Sequence, residues 1–192
     1  MTTSGRIELM APAGNFESMQ AALDNGCDSI YFGVEQLNMR ARATVNFVLD
    51  DLPEIARRCN EKNVRTYLTL NTIIYDHDLS IVKTLLTKAK EAGITAVIAS
   101  DQAVIMTART IGMEVHISTQ LNVTNIETVK FYAMFADTIV LSRELSLRQV
   151  KKITEDIEKE QVKGPSGNLV EIEIFGHGAL CMAVSGKCYL SL

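Results

Sequence analysis

Three absences narrow the reading of this 192-residue chain. No apolar run reaches the roughly 20 residues that a helix needs to cross a bilayer; the longest are strand-sized. There is no excess of basic charge: 19 Lys and Arg against 23 Asp and Glu leave a net charge of -4, so any RNA contact has to be local. The short motifs of metalloproteases (His-Glu-x-x-His) and serine hydrolases (Gly-x-Ser-x-Gly) are missing as well. The polar stretch Met1 to Arg6 has no apolar run behind it, which predicts no secretory signal and a cytoplasmic home. Low-complexity segments and interdomain linkers are also lacking, so residues 1–192 read as a single domain.

What is present is enough apolar material, 47% of residues, for a sizeable core. It is arranged in one repeating pattern of amphipathic helix, stop near glycine, short apolar strand and polar loop. Strands are predicted at Ile7 to Ala11, Ser29 to Phe32, Thr66 to Leu70, Ala96 to Ala99, Glu114 to Ser118, Thr138 to Leu141 and Val170 to Phe175. Helix ends are legible between them. Asn15, Asn125 and the Ser146/Gln149 pair have capping chemistry, Pro53 suits a first turn, and Gly26, Gly93 and Gly112 supply stops. Alternation of this kind implies a parallel sheet buried on both faces. A doubly wound sheet would normally carry a Gly-x-Gly-x-x-Gly turn after its first strand, and Ala11-Pro12-Ala13-Gly14-Asn15 lacks it. The expected fold is therefore a (β/α)8 TIM-type barrel truncated after about seven strands.

In such barrels chemistry sits where strands end. The residues there are polar, and Asn71, Asp101, Gln120, Arg143, Glu144 and His177 are positioned to converge on one mouth. Asn71, Gln120, Glu144 and His177 are the catalytic candidates. Arg143, with Arg40 and Arg42 from the long loop after the second strand, forms the substrate-binding set, because a guanidinium fork matches a carboxylate or phosphate. Each has a plainer alternative: Asp101 as a helix cap, Ser142 to Glu144 as the lead into a helix, Arg40 and Arg42 as solvated loop residues. His116 reads as a satisfied interior histidine and His77 as a solvated one.

The four cysteines divide into two kinds. Cys27 and Cys59 stand singly and read as small buried side chains. Cys181 and Cys188 are paired across six intervening residues in a glycine-punctuated turn. That spacing is wider than usual zinc pairs and points to half of a four-thiolate metal or cluster site. A reactive thiol, with His177 four residues before Cys181, and simple packing remain as alternatives.

Glu173, Phe175, Gly178, Ala179, Leu180, Cys181, Gly186, Cys188, Leu190 and Ser191 meet every fixed position of a signature, Glu-x-Phe-x-x-Gly-[Ser/Ala]-aliphatic-Cys-x-x-x-x-Gly-x-Cys-x-aliphatic-Ser. By it the chain resembles the collagenase-like U32 peptidase family. Leu9 to Gly14 and Leu141 to Ser146 resemble further segments, so the likeness covers essentially the whole chain as the N-terminal part of a longer protein. The resemblance implies either proteolysis or oxygen-independent hydroxylation of RNA bases or quinone precursors. The Ser-Arg-Glu-Leu-Ser and His-Gly-Ala-Leu-Cys-Met-Ala segments are most similar to the branch that hydroxylates tRNA uridine with prephenate as hydroxyl donor. It implies Cys181 and Cys188 as two ligands of a [4Fe-4S] cluster, the other two lying beyond Leu192, and tRNA or other RNA as partner. A peptide substrate, or a non-enzymatic role stabilising a partner, are the competing expectations.

Overall fold

A computed structural model of the chain describes residues 7–34, 47–178 and 183–185. Seven strands are found among them: β1 (Met10–Pro12), β2 (Ser29–Phe32), β3 (Arg65–Leu70), β4 (Ala96–Ala99), β5 (Glu114–Ile117), β6 (Thr138–Val140) and β7 (Glu171–Glu173). A helix follows each of the first six: α1 (Phe16–Asp24), α2 (Leu52–Glu61), α3 (Leu79–Ala92), α4 (Gln102–Thr110), α5 (Ile126–Ala133) and α6 (Leu147–Glu160). Every strand pairs in parallel with the next, in the order β1-β2-β3-β4-β5-β6-β7. That order has no reversal, and reversal is what defines a doubly wound sheet. The progression is that of a (β/α)8 barrel carried through seven strands.

Local chemistry sets the helix boundaries. Asn15 Oδ1 accepts the Ser18 N–H at 2.8 Å, Asn125 Oδ1 the Thr128 N–H at 3.0 Å and Asp101 Oδ1 the Ala103 N–H at 2.8 Å, each satisfying a donor that the first helical turn leaves open. Gln149 reaches back to the Ser146 N–H at 2.9 Å, as the capping-box spacing predicts. Pro53 lies in the first turn of α2. At the far end of α3, Gly93 takes φ +88°, a conformation that side chains with a Cβ resist.

Strand alternation divides the interior in two. Outward residues, among them Ile30, Phe32, Leu68, Leu70, Val97, Ile117 and Ile139, meet Met19, Ile55, Leu86, Val104, Val129 and Ile153 in the main core between sheet and helices. Inward residues make a much smaller apolar cluster of Tyr67, Ala96 and Ile98, with Met10 and Tyr31 against it. Besides Val140, the remaining buried inward positions are polar: Ser29, Thr69, His116, Ser118 and Thr138. Barrel interiors are commonly filled with branched apolar side chains, so this polar lining is the first departure from a purely structural barrel. Cys27 and Cys59 are free and buried as expected, and burial pushes the Cys59 thiol up to about 11.

The end strands are shorter than the apolar runs predicted. Ile7 and Leu9 are exposed, and so are Ile174 and Phe175, and the paired register runs only from Met10 in β1 and to Glu173 in β7. Leu9 is instead held by Asp28, whose carboxylate accepts the Leu9 N–H at 2.9 Å. Between α6 and β7, Gly164 packs directly on Asp137: a Cβ there would lie 2.3 Å from Asp137 Oδ1 and 2.9 Å from its Cα. That close approach lets Asp137 Oδ1 accept both the N–H and the hydroxyl of Ser166, at 3.0 and 2.7 Å, while the Asp137 carbonyl receives the Glu171 N–H at 2.8 Å. The turn thereby delivers β7 to the edge of β6.

Leu86→Ala, which empties a fully buried site in the main core, is expected to cost about 2–5 kcal/mol. Gly164→Ala is expected to cost about 1–3 kcal/mol by overpacking the turn that feeds β7. Urea unfolding of each variant against the parent chain measures both.

Candidate active site at the strand ends

The C-terminal ends of β3, β5 and β6 are laced together by side chains. Asn71, directly after β3, points its Nδ2 at Ser118 Oγ across 3.5 Å, and the same oxygen accepts the Gln120 N–H at 3.3 Å. Ser142, after β6, donates its hydroxyl to Asn122 Oδ1 at 2.8 Å. Asn122 has the left-handed φ of 54° that ends the short turn Thr119–Leu121, a conformation Asn tolerates well. Asn71 and Gln120 therefore share one support, the buried Ser118, and lie half-buried at the same rim.

Arg143 and Glu144 reach in another direction. Arg143 Nη2 donates to the Ala183 carbonyl at 3.2 Å, and Glu144 Oε1 accepts the Ser185 N–H at 2.8 Å. The loop after β6 thus clasps residues 183–185, which lie between Cys181 and Cys188 in the sequence. Burial opposes the charge on Glu144, but hydrogen bonds from the Ser185 and Glu144 backbone, with Arg143 alongside, more than offset it and hold the carboxyl below the usual range.

Asp101 has the plainer of its two roles: besides capping α4 it accepts the Ile74 N–H at 3.4 Å, bracing the loop after β3. His177 is exposed, four residues past the end of β7. His77 is exposed too and stacks on Tyr75 with ring centroids 5.8 Å apart. Arg40, Arg42, Cys181 and Cys188 lie outside the described residues.

Sequence reasoning passed over the groups beneath this rim. One inward step below Ser118 is His116, whose side chain is 4% exposed. Its Nε2 lies 3.1 Å from Glu114 Oε1, and its Nδ1 lies 3.9 Å from Glu173 Oε2. The imidazole packs against the Tyr67 ring at 4.5 Å, and Tyr67 donates its hydroxyl to Glu8 at 2.8 Å. The two carboxylates are pushed apart: the hydrogen bond with His116 holds Glu114 below its usual range, whereas burial raises Glu173. Two signals were available in the sequence. Glu114, His116 and Ser118 alternate onto one strand face, and Glu173 is the first fixed residue of the signature.

A family model described as Peptidase family U32 matches residues 14–192 of the chain. A collagenase of Porphyromonas gingivalis is 55% identical over 186 residues, covering 97% of this chain and 45% of its own length. The tRNA hydroxylation protein P1 of Bacillus subtilis is 30% identical over 187 residues, 96% of this chain and 42% of its own. The chain thus spans less than half the length of these curated relatives. Among solved structures, that of the U32 peptidase Mk0906 matches with a TM-score of 0.64 at 15% identity, over 81% of this chain and 67% of that one, a likeness of fold alone.

Glu144 titrates lower in the folded chain than in the unfolded one, so its grip on Ser185 is complete at neutral pH and is lost as pH falls through that lowered value. Glu173 runs the other way: its contribution to stability is greatest in acid and declines as pH rises through its raised value. Hydrogen exchange at the Ser185 amide, corrected for the intrinsic rate, is expected to show protection falling roughly tenfold in Glu144→Gln, the loss of about one hydrogen bond to a charged group. Thermal melts of Glu173→Gln are expected to gain on the parent as pH is raised from 5 to 9.

Proposed function

This chain belongs to peptidase family U32, and from that premise we propose that it is the barrel portion of an enzyme that hydroxylates a tRNA uridine. The observation that carries this reading is the clasp of Arg143 and Glu144 on residues 183–185. It ties to the loop after β6 the residues two and three positions from Cys181 and Cys188, the thiols that this reading assigns to a bound group. A relative named as a tRNA hydroxylation protein aligns over nearly all of the chain, which supports the choice of RNA.

In this reading Asn71 and Gln120 offer the donors and acceptors that a flipped-out base presents its edge to. Arg40 and Arg42 meet the carboxylates of the hydroxyl donor, for which prephenate is the candidate. Glu144 and Arg143 position the cysteine-bearing segment. Cys181 and Cys188 are proposed as two thiolates of a [4Fe-4S] cluster, which supplies redox chemistry when bound. Among the described residues no three His, Cys, Asp or Glu side chains gather as a metal site, and the other two ligands are proposed to come from the remainder of the full-length protein.

A second reading has its own support, since the collagenase relative is the more similar of the two by sequence. There Cys181 would attack a peptide carbonyl with His177 as its base.

One set of variants of the full-length protein separates the two. Prepared without oxygen, the parent is expected to carry iron and sulfide and to restore hydroxylated uridine, read by mass spectrometry of digested tRNA. Cys188→Ala is expected to lose both the iron and the modification. Peptide cleavage that persists in Cys188→Ala but disappears in Cys181→Ala, with no modified nucleoside from the parent, would establish the peptidase instead.

A further inference from the structure

Two buried atoms inside the barrel face one another without a hydrogen-bond partner among the described residues: His116 Nδ1 and Glu173 Oε2. At 3.9 Å they are too far apart to bond directly. One oxygen placed off their axis lies within hydrogen-bond distance of both, and a polar gap of this size is where a bridging hydroxyl belongs. Leaving two buried polar atoms open is destabilising, and a purely structural interior would have avoided it with an apolar pair.

The geometry points to His116 and Glu173 as a pair that seats one hydroxyl group, from a water molecule or from a substrate, between Nδ1 and Oε2 and moves a proton through it. Location supports this. Glu173 is the last residue of β7 and pairs with Val140 at the mouth end of β6. His116 lies one inward step beneath Ser118, the shared support of Asn71 and Gln120. Glu173 keeps 24% of its side chain exposed, so solvent reaches part of the side chain that borders the gap.

The neighbouring charges assign the protons. The hydrogen bond with His116 holds Glu114 low, so we assign Nε2 as the donor to Glu114 and Nδ1 as the acceptor facing Glu173. Burial raises Glu173 while His116 acts against that rise, and Glu173 is assigned as the proton donor of the pair. In the transfer, the Oε2–H bond of Glu173 breaks toward the hydroxyl oxygen while the hydroxyl gives its own proton to Nδ1. The hydroxyl is regenerated, Glu173 becomes an anion, the imidazole a cation beside ionised Glu114, and no electrons change hands. From β3, Tyr67 faces the ring as a neutral phenol, its hydroxyl pushed up to about 12 by burial. Arg65 and Glu8 pair with each other at the far end of that tyrosine. From β6 the inward groups are uncharged, Thr138 and Val140.

The existence of the pair stands on geometry, whereas its use in turnover rests on the proposed hydroxylation. The test therefore has two readouts on the full-length protein. In the first, carbon NMR of labelled glutamate carboxyls is expected to show Glu173 titrating above the ordinary range, and His116→Phe, which keeps a ring against Tyr67, is expected to move it further up. In the second, Glu173→Gln is expected to slow tRNA hydroxylation about a hundredfold, within the usual worth of a general acid, and to abolish the decline in kcat at high pH. A rise in KM in both variants assigns the seated hydroxyl to the substrate. An unchanged KM, with loss of the solvent deuterium effect on kcat, assigns it to water. A Glu173 carboxyl indifferent to His116→Phe, or a Glu173→Gln protein with parental kcat, KM and pH profile, would overturn the proposal. If the parent yields no modified nucleoside while the carboxyl titration still responds to His116→Phe, it is the hydroxylation reading that fails.

Discussion

Burial of the sheet on both faces is the constraint from which the rest of this structure follows. Helices cover the outward side, so alternate residues of every strand join one apolar core, and that core supplies the stability. The inward side is enclosed by curvature alone, and its filling is under no such obligation to be apolar. Tyr67, Ala96 and Ile98 form a modest plug, and the positions around them carry histidine, serine, threonine and glutamate. Stability and chemistry are thereby assigned to opposite faces of the same strands.

The division explains how the rim is organised. Side chains beyond the strand ends bond laterally, Asn71 to Ser118 and Ser142 to Asn122, so that loops from β3, β5 and β6 hold one another in place. Among the described residues it is the loop after β6 that reaches forward, through Arg143 and Glu144, to the segment between the two paired cysteines. Relatives named for hydrolysis and for hydroxylation both align over nearly all of this chain, so the same strand-end framework lies under either name.

Much of this was legible before the coordinates. Helix starts at Asn15, Asp101, Asn125 and Ser146 were readable because a cap is a contact between residues two or three apart. Gly93 was readable because a left-handed helix stop selects for glycine. The seven strands and the barrel followed from the same local pattern, and the missing phosphate-loop glycines excluded the rival fold. The outer strand limits were not legible: Ile7, Leu9 and Phe175 are as apolar as ladder residues, and only a neighbouring strand decides whether they pair. The grip of Glu144 on Ser185 spans 41 residues and leaves no trace in spacing. His116 was placed correctly in the interior but read as satisfied, since the distance that leaves its Nδ1 open exists only once β5 and β7 are set around the same axis.

The shortness of β7 ties two requirements together. Its three residues are Glu171, Ile172 and Glu173, so the segment that extends the ladder devotes a single side chain to the outer core. A valine or isoleucine at position 173 would make a sturdier strand by every rule of sheet composition. On the role proposed for Glu173, the carboxylic acid that stands there instead trades robustness for reactivity, and selection for a hardier protein would reach for that residue first.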